Sequence, residues 1–304
     1  MNELKNIILL GAGAVGTLIA EKLIKMPGIS FYAAADQGRV KRYRAEGIFF
    51  NGEKLLLNFL APEEKADFDH ADLIIAATKT ASLPEALENV VPFTGKNTIF
   101  LPLLNGISAS DVIAARFPGG TVLSGFFLGH ASVREGNSIR HDGCGTFYCG
   151  GEADALEAVR KLFQHAAINV ELPADMTHAI WKKFVLNVGI NQTQAAFDAD
   201  YGTIQRTPEL LEYCRELIRE AIAIAVAEGV SGTDSMLEPA MEVILSMPPQ
   251  VKTSMLQDVQ AGRQTEVDAF AGTICARAAI HGIPVPRNQE VLKIICKKEA
   301  AFTA

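Results

Sequence analysis

Hydrophobic and polar positions follow two different rhythms along this chain. In the first half, short apolar runs (NIILL, SFYAAA, KLLLNFL, DLIIAAT and NTIFLPLLNG) read as strands. The segments VGTLIAEKLIKM, GRVKRYRAEG and ASLPEALENVVPF between them carry helical periodicity. Strands alternating with helices predict a parallel, doubly wound sheet. Beyond residue 120, TVLSGFFLGHASVREGNSIRHDGCGTFYCGG is glycine-rich and strand-like, and predicts antiparallel strands at the edge of that sheet. EADALEAVRKLFQHA and INVELP add one helix and one strand. From about Asp175 the rhythm is helical throughout, over 176–195, 208–229, 234–246 and 251–281. The second of these has a threonine N-cap, proline at its first position and a closing glycine.

The turn after the first strand carries chemistry. ILLGAGAVG places Gly11, Ala12, Gly13, Ala14, Val15 and Gly16 as G-x-G-x-x-G between a strand and a helix. Gly11 permits the tight turn, Gly13 lets the backbone approach a pyrophosphate, and Gly16 lets the helix pack closely. The helix start offers free N–H groups and a positive dipole end to phosphates. Asp36 ends the second strand, where a carboxylate accepts the ribose 2′-OH of NAD and repels the 2′-phosphate of NADP. Arg39, read as a loop residue, reaches a 2′-phosphate in one reading and is part of a solvated basic helix face in the other. The expected fold class is therefore α/β. A Rossmann-type doubly wound domain over 1–170 precedes an all-α domain over 171–304, with a ligand cleft expected between them.

One helix is unusual. In AIWKKFVLNVGINQTQA, residues 179–195, Lys183, Asn187 and Asn191 recur every four residues among apolar neighbours. Such a series stays on one face, drifting by about 40° per step. A lysine ammonium stabilises and protonates a growing alkoxide when a carboxylate holds it, and asparagines orient carbonyl, hydroxyl and carboxylate groups. The polar stripe thus suits a cleft wall. The bland alternative is a satisfied polar contact between helices, and sequence leaves open which of Lys182 and Lys183 points inward.

Composition narrows the field. The chain has 304 residues, 49% hydrophobic, and a net charge of −7 with the charges mixed, so a large core is expected and a nucleic-acid partner is not. No apolar run reaches the roughly 18 residues of a membrane span, and the N-terminus shows no signal-peptide cleavage pattern. The five cysteines are odd in number and lack metal-ligand spacing, as expected of reduced thiols in a cytoplasmic protein without a metal site. His130, His141, His178 and His281 have no triad or metal spacing and read as structural. Asp258 and Arg263 read as a helix-face ion pair.

Over nearly its whole length the chain resembles the ketopantoate reductases (2-dehydropantoate 2-reductases). The resemblance rests on the glycine loop, Lys79 in ATKT, Asn105 in LLNGI, WKKFVLNVGIN and SMLQDVQAGRQTEVD. It implies a proton donor at Lys183, held by Glu266, and substrate contacts from Asn187, Asn191, Asn105 and the Ser254 hydroxyl. It places Ser254 and Glu266 on one helix, with Lys79 and Asn105 flanking a nicotinamide. The implied activity is reduction of 2-dehydropantoate to (R)-pantoate in pantothenate biosynthesis. It favours NADP(H), while Asp36 admits NAD(H). A homodimer is compatible with the resemblance and with the hydrophobic C-terminal helices. Three residues depart from the pattern: Gln192 replaces an expected proline, Tyr201 an expected asparagine, and Asp36 an expected arginine. They leave open an NAD(H)-dependent reductase of another small 2-oxo acid. A non-catalytic nucleotide sensor is the remaining alternative, and it has no use for a lysine–glutamate pair.

Overall fold

The computed structural model describes residues 3–129 and 132–303, so His130 lies outside the described residues. The chain divides into two compact units, 1–176 and 177–304.

Apolar runs with no polar face need cover on both sides, and in the first unit they obtain it. Its first elements are β1 (Asn6–Leu10), α1 (Ala14–Leu23), β2 (Ser30–Ala34), α2 (Gln37–Glu46), β3 (Phe49–Phe50), β4 (Glu53–Lys54) and β5 (Asn58–Leu60). β6 (Leu73–Ala76), α3 (Leu83–Glu88), β7 (Ile99–Pro102), α4 (Ala109–Arg116) and β8 (Thr121–Val122) follow. β1, whose Ile7, Ile8 and Leu9 are fully buried, sits mid-sheet. The parallel order is β5-β2-β1-β6-β7-β8. Counting only these six strands, that is the 3-2-1-4-5-6 winding of a Rossmann-type sheet. Winding reverses between β1 and β6, and ligands of such sheets bind beyond the carboxyl ends of the strands at that point.

Only the first two residues of the glycine-rich stretch, as β8, line the edge of this sheet, and they do so in parallel rather than antiparallel as expected. β9 (Ser124–Leu128), β10 (Ser132–Glu135), β11 (Ser138–His141), β12 (Thr146–Gly150), α5 (Ala153–His165) and β13 (Val170–Glu171) complete the unit. They build a sheet β13-β12-β9 and a sheet β10-β11-β3-β4. Packing explains the first. A Cβ at Gly125 would stand 3.0 Å from Leu101 and 3.1 Å from the Pro102 carbonyl, so β9 lies closely against β7 without joining its ladder. Phe127 then stacks on Phe147, with ring centroids 4.3 Å apart, and Phe163 meets Phe147 edge to face at 5.4 Å. The β3–β4 hairpin was not expected. It turns at Asn51-Gly52, both at positive φ (52° and 88°), which two such residues favour.

The second unit contains α6 (Met176–Phe197), α7 (Tyr201–Arg206), α8 (Pro208–Ala227), α9 (Leu237–Ser246), α10 (Ser254–Gln260), α11 (Ala271–His281) and α12 (Pro286–Ala300). α6 and α8 meet where α6 carries Gly189: a Cβ there would stand 2.6 Å from Ile218 and 3.3 Å from the Cys214 carbonyl. The expected helix over 251–281 is broken. α10 stops at Gln260, Gly262 takes a left-handed φ of 61°, and the Arg263 N–H returns to the Asp258 carbonyl at 2.8 Å. A 3-10 turn over Val267–Ala269 then leads into α11. Among the described residues no helix is long and apolar enough to cross a membrane.

Candidate active site

In the first unit the glycine loop closes the gap between β1 and β6. Gly11 has φ +93°, and a Cβ on it would stand 2.6 Å from Ala77 O and 2.7 Å from Thr78 N. A Cβ on Gly16 would lie 2.0 Å from Gly11 O. Gly13 differs. It is the N-cap of α1 with ordinary φ, and a Cβ there would meet nothing nearer than Ala77 O at 4.0 Å. That open space lies in front of a helix start with no side-chain cap and no acidic residue in its first turn. Beside it, Thr78 Oγ1 is buried with no hydrogen-bond partner among the described residues. Uncapped N–H groups, an orphaned hydroxyl and a cradle that a side chain would fill fit an anionic pyrophosphate. Gly11, Ala12, Gly13, Ala14, Val15 and Gly16 are the residues that would hold a dinucleotide there.

Lys79 and Asn105 follow the adjacent strands β6 and β7. Lys79 is exposed at the start of the next turn, and Thr80 Oγ1 donates to the Asn105 carbonyl at 2.9 Å, tying the two segments together. Thr78 and Thr80 were not singled out from the sequence, since short hydroxyls after strands carry no distinguishing pattern.

Asp36 and Arg39 engage each other. Asp36 is the N-cap of α2, its Oδ1 accepting from the Arg39 N–H at 2.9 Å, and the Arg39 Nε lies 3.4 Å from Oδ2. Arg39 is therefore in the first turn of α2, not in a loop as expected, because Asp36 starts the helix. Both side chains remain more than 40% exposed.

In the second unit, α6 turns Lys182 outward and leaves Lys183 half-buried. Burial pushes the Lys183 ammonium down to about 8, against the opposing pull of Glu266, whose negative charge favours the protonated form. Asn187 is half-buried and Asn191 buried on the same helix. Glu266 stands just before the 3-10 turn, so it does not share a helix with Ser254, the exposed first residue of α10. The break brings the Glu266 segment to α6 separately, with the Phe270 ring stacked on Phe184 at 6.0 Å. Gln194 Oε1 accepts from the Thr253 N–H at 2.8 Å and anchors the start of α10, beside Ser254. Tyr201 is buried, and its N–H donates to Val251 O at 3.4 Å. Asp258 and Arg263 pair at 2.8 Å, with Arg263 beyond the helix end. The remaining histidines lie in other contacts: His141 Nδ1 accepts from the Gly143 N–H at 2.9 Å, His178 Nδ1 meets Ser231 O at 2.9 Å, and His281 lies 3.7 Å from Glu228. Among the described residues no group of three His, Cys, Asp or Glu is placed to hold a metal.

Comparison with known proteins is consistent along the chain. Residues 7–153 match the family Ketopantoate reductase PanE/ApbA, and residues 175–299 match Ketopantoate reductase PanE/ApbA C terminal. A 2-dehydropantoate 2-reductase of Halobacterium salinarum is 32% identical over 223 residues, 71% of this chain and 72% of that protein. Among solved structures, D-mandelate dehydrogenase with NADH and anilino(oxo)acetate superposes with a TM-score of 0.85 at 21% identity, over 98% of this chain and 100% of that one. A dimeric ketopantoate reductase from Staphylococcus aureus does so with a TM-score of 0.79 at 22% identity, over 97% and 99%. These two share the fold.

Proposed function

The chain belongs to the ketopantoate reductase family, and on that premise we propose that it reduces a 2-oxo acid, 2-dehydropantoate to (R)-pantoate, as a step of pantothenate biosynthesis. The observation that carries the reading is the desolvated Lys183 under the field of Glu266, on the helix that also bears Asn187 and Asn191. A nicotinamide held by the glycine loop would supply the hydride for this reduction. Lys183 stabilises the oxyanion that forms and gives it a proton, so the carbonyl becomes a hydroxyl and the lysine is left neutral. Glu266 holds the ammonium and balances its charge, Asn187 and Asn191 orient the polar groups of the substrate, and the Ser254 hydroxyl takes its carboxylate. In the first unit the glycine loop would hold the pyrophosphate, and Lys79 and Asn105 would hold the nicotinamide end. The test is consumption of reduced cofactor with 2-dehydropantoate and then with other 2-oxo acids. Turnover of none of them would end the reductase reading.

Lys183 also sets a pH dependence. Reduction needs its protonated form, so kcat/KM is flat below about pH 8 and falls tenfold per unit above it. The reverse oxidation needs the neutral amine and rises across the same range. A reduction rate unchanged from pH 7 to 10 assigns the proton to another group.

The cofactor is NADPH in preference to NADH, modestly. A charge-assisted arginine bond contributes about 1.5–3 kcal/mol, and repulsion from a half-exposed Asp36 is smaller after screening. Arg39→Ala then raises KM for NADPH and leaves that for NADH nearly unchanged. Asp36→Asn is the informative partner, since it keeps the helix cap while removing the charge; it improves use of NADPH and weakens use of NADH. A strong preference for NADH that ignores Arg39→Ala makes Asp36 the selector and favours an NAD(H)-dependent reductase of another 2-oxo acid. The enzyme works in the cytoplasm as a homodimer. Its five free thiols suit a reducing compartment, and burial raises Cys149 and Cys214 to about 12, which keeps them unreactive.

A further inference from the structure

Directly after Asn191, α6 carries Gln192, Thr193 and Gln194, none with any exposed surface. Buried amides persist when their polar atoms are paired. Thr193 Oγ1 returns to Gly189 O at 2.8 Å within the helix. Gln192 reaches further. Its Nε2 donates to Val188 O at 2.8 Å and to Asn288 Oδ1 at 3.4 Å, and its Oε1 accepts from the Ala271 N–H at 2.9 Å. The fully buried Asn288 donates in turn to Glu220 Oε2 at 2.8 Å. Two acceptors on one side and a backbone donor on the other fix which way the Gln192 amide faces.

Ala271 is the first residue of α11, and the N-cap before it, Phe270, offers no side-chain bond. The first N–H groups of a helix have no partner inside it. Gln192 supplies from α6 the acceptor that the local sequence lacks. Five residues upstream stands Glu266, and the chain between is taut: Ala269 N–H donates to Glu266 O at 2.9 Å and Phe270 N–H to Val267 O at 3.2 Å. On its other side the Thr265 N–H donates to the buried Glu299 Oε1 at 2.7 Å. Glu266 is thus suspended between two buried anchors, one of which belongs to the helix of Lys183.

Resting on the proposed roles of Lys183 and Glu266, we infer that Gln192 is a positioning residue. It fastens the segment carrying Glu266 to α6 and so fixes the distance between carboxylate and ammonium. Glu266 is the charged group whose field acts on Lys183; Glu220 and Glu299, at the anchors, do not enter that balance. When the Ala271 anchor is lost, Glu266 recedes, and less opposes the effect of burial on Lys183.

The experiment uses the full chain with 2-dehydropantoate and reduced cofactor. Gln192→Met keeps the side-chain volume and removes the hydrogen bonds. Its kcat falls by roughly 10- to 100-fold, its KM for reduced cofactor stays at the wild-type value, and the basic limb of its pH profile moves to lower pH. Glu299→Leu, which frees the other anchor, moves the limb the same way and decides alone if Gln192→Met does not fold. Gln194→Met removes an equally buried amide of the same helix that holds Thr253 instead, and leaves the limb in place. A wild-type limb in Gln192→Met, or an equal shift in Gln194→Met, overturns the inference. Lys183→Ala in the same series separates the levels: if it retains turnover, the proposed role of Lys183 falls and takes this inference with it. If Lys183→Ala is inactive and Gln192→Met is unshifted, only the inference falls.

Discussion

Lys183→Ala is expected to lower kcat by roughly 10²–10⁴-fold, the usual worth of a positioned general acid. Cofactor affinity in a direct titration stays unchanged, since the glycine loop belongs to the other unit. Lys182→Ala is the internal comparison, because Lys182 is exposed one position earlier on the same helix and should retain near-normal turnover. The reverse result puts the proton donor on the wrong lysine. Glu266→Ala should also be slow, because an unpaired and desolvated lysine loses both its orientation and the charge that keeps it protonated. The two groups act as one device, so Lys183→Ala/Glu266→Ala should be no slower than Lys183→Ala alone. Full additivity of the two losses would show that they act independently.

Gly13→Val is expected to weaken cofactor binding strongly while leaving the protein folded. Its backbone lies at φ −87°, which valine tolerates, and the nearest protein atom to a new Cβ is 4.0 Å away. The added Cβ therefore clears the polypeptide, and the branched side chain extends into the space assigned to the pyrophosphate. Losing two backbone–phosphate bonds at about 1.5 kcal/mol each weakens binding by about 10²-fold. Isothermal titration with NADPH and NADH reads the loss, and an unchanged Tm shows that the fold is intact. Wild-type affinity in this variant would move the dinucleotide away from the loop.

Much of this arrangement is written in local sequence, and what is missed is missed for a reason. The β1 turn is legible because an apolar run, three spaced glycines and a helical pattern follow one another without a gap over residues 6–26. The Lys183 stripe is legible because its period of four stands against apolar neighbours. The break between Ser254 and Glu266 is not, because helical spacing runs on through residues 251–281, and Gly262 at the break is no different in sequence from Gly272 inside α11. What holds that break open is Glu299, 34 residues beyond Thr265. The anchoring roles of Gln192 and Gln194 depend likewise on partners 79 and 59 residues away. The sequence INQTQ does show several polar residues together in an apolar helix, a signal of internal pairing that Gln192 and Thr193 meet and Gln194 meets through its Oε1. The β3–β4 hairpin has a turn signal in Asn51-Gly52, but strands of two residues each leave no alternation beside it to read.

The three glycines of the β1 turn are held in place by different pressures. Gly11 and Gly16 face atoms of the polypeptide itself at 2.6 and 2.0 Å, so any descendant that keeps the sheet must keep them. Gly13 faces open space and answers only to a ligand. A lineage that gave up nucleotides while keeping this architecture would retain the outer pair and let the middle position drift toward alanine, serine or larger residues. For reading divergent descendants of this chain, position 13 is the informative one. A glycine there marks a working pocket, whereas the flanking glycines testify only to the turn.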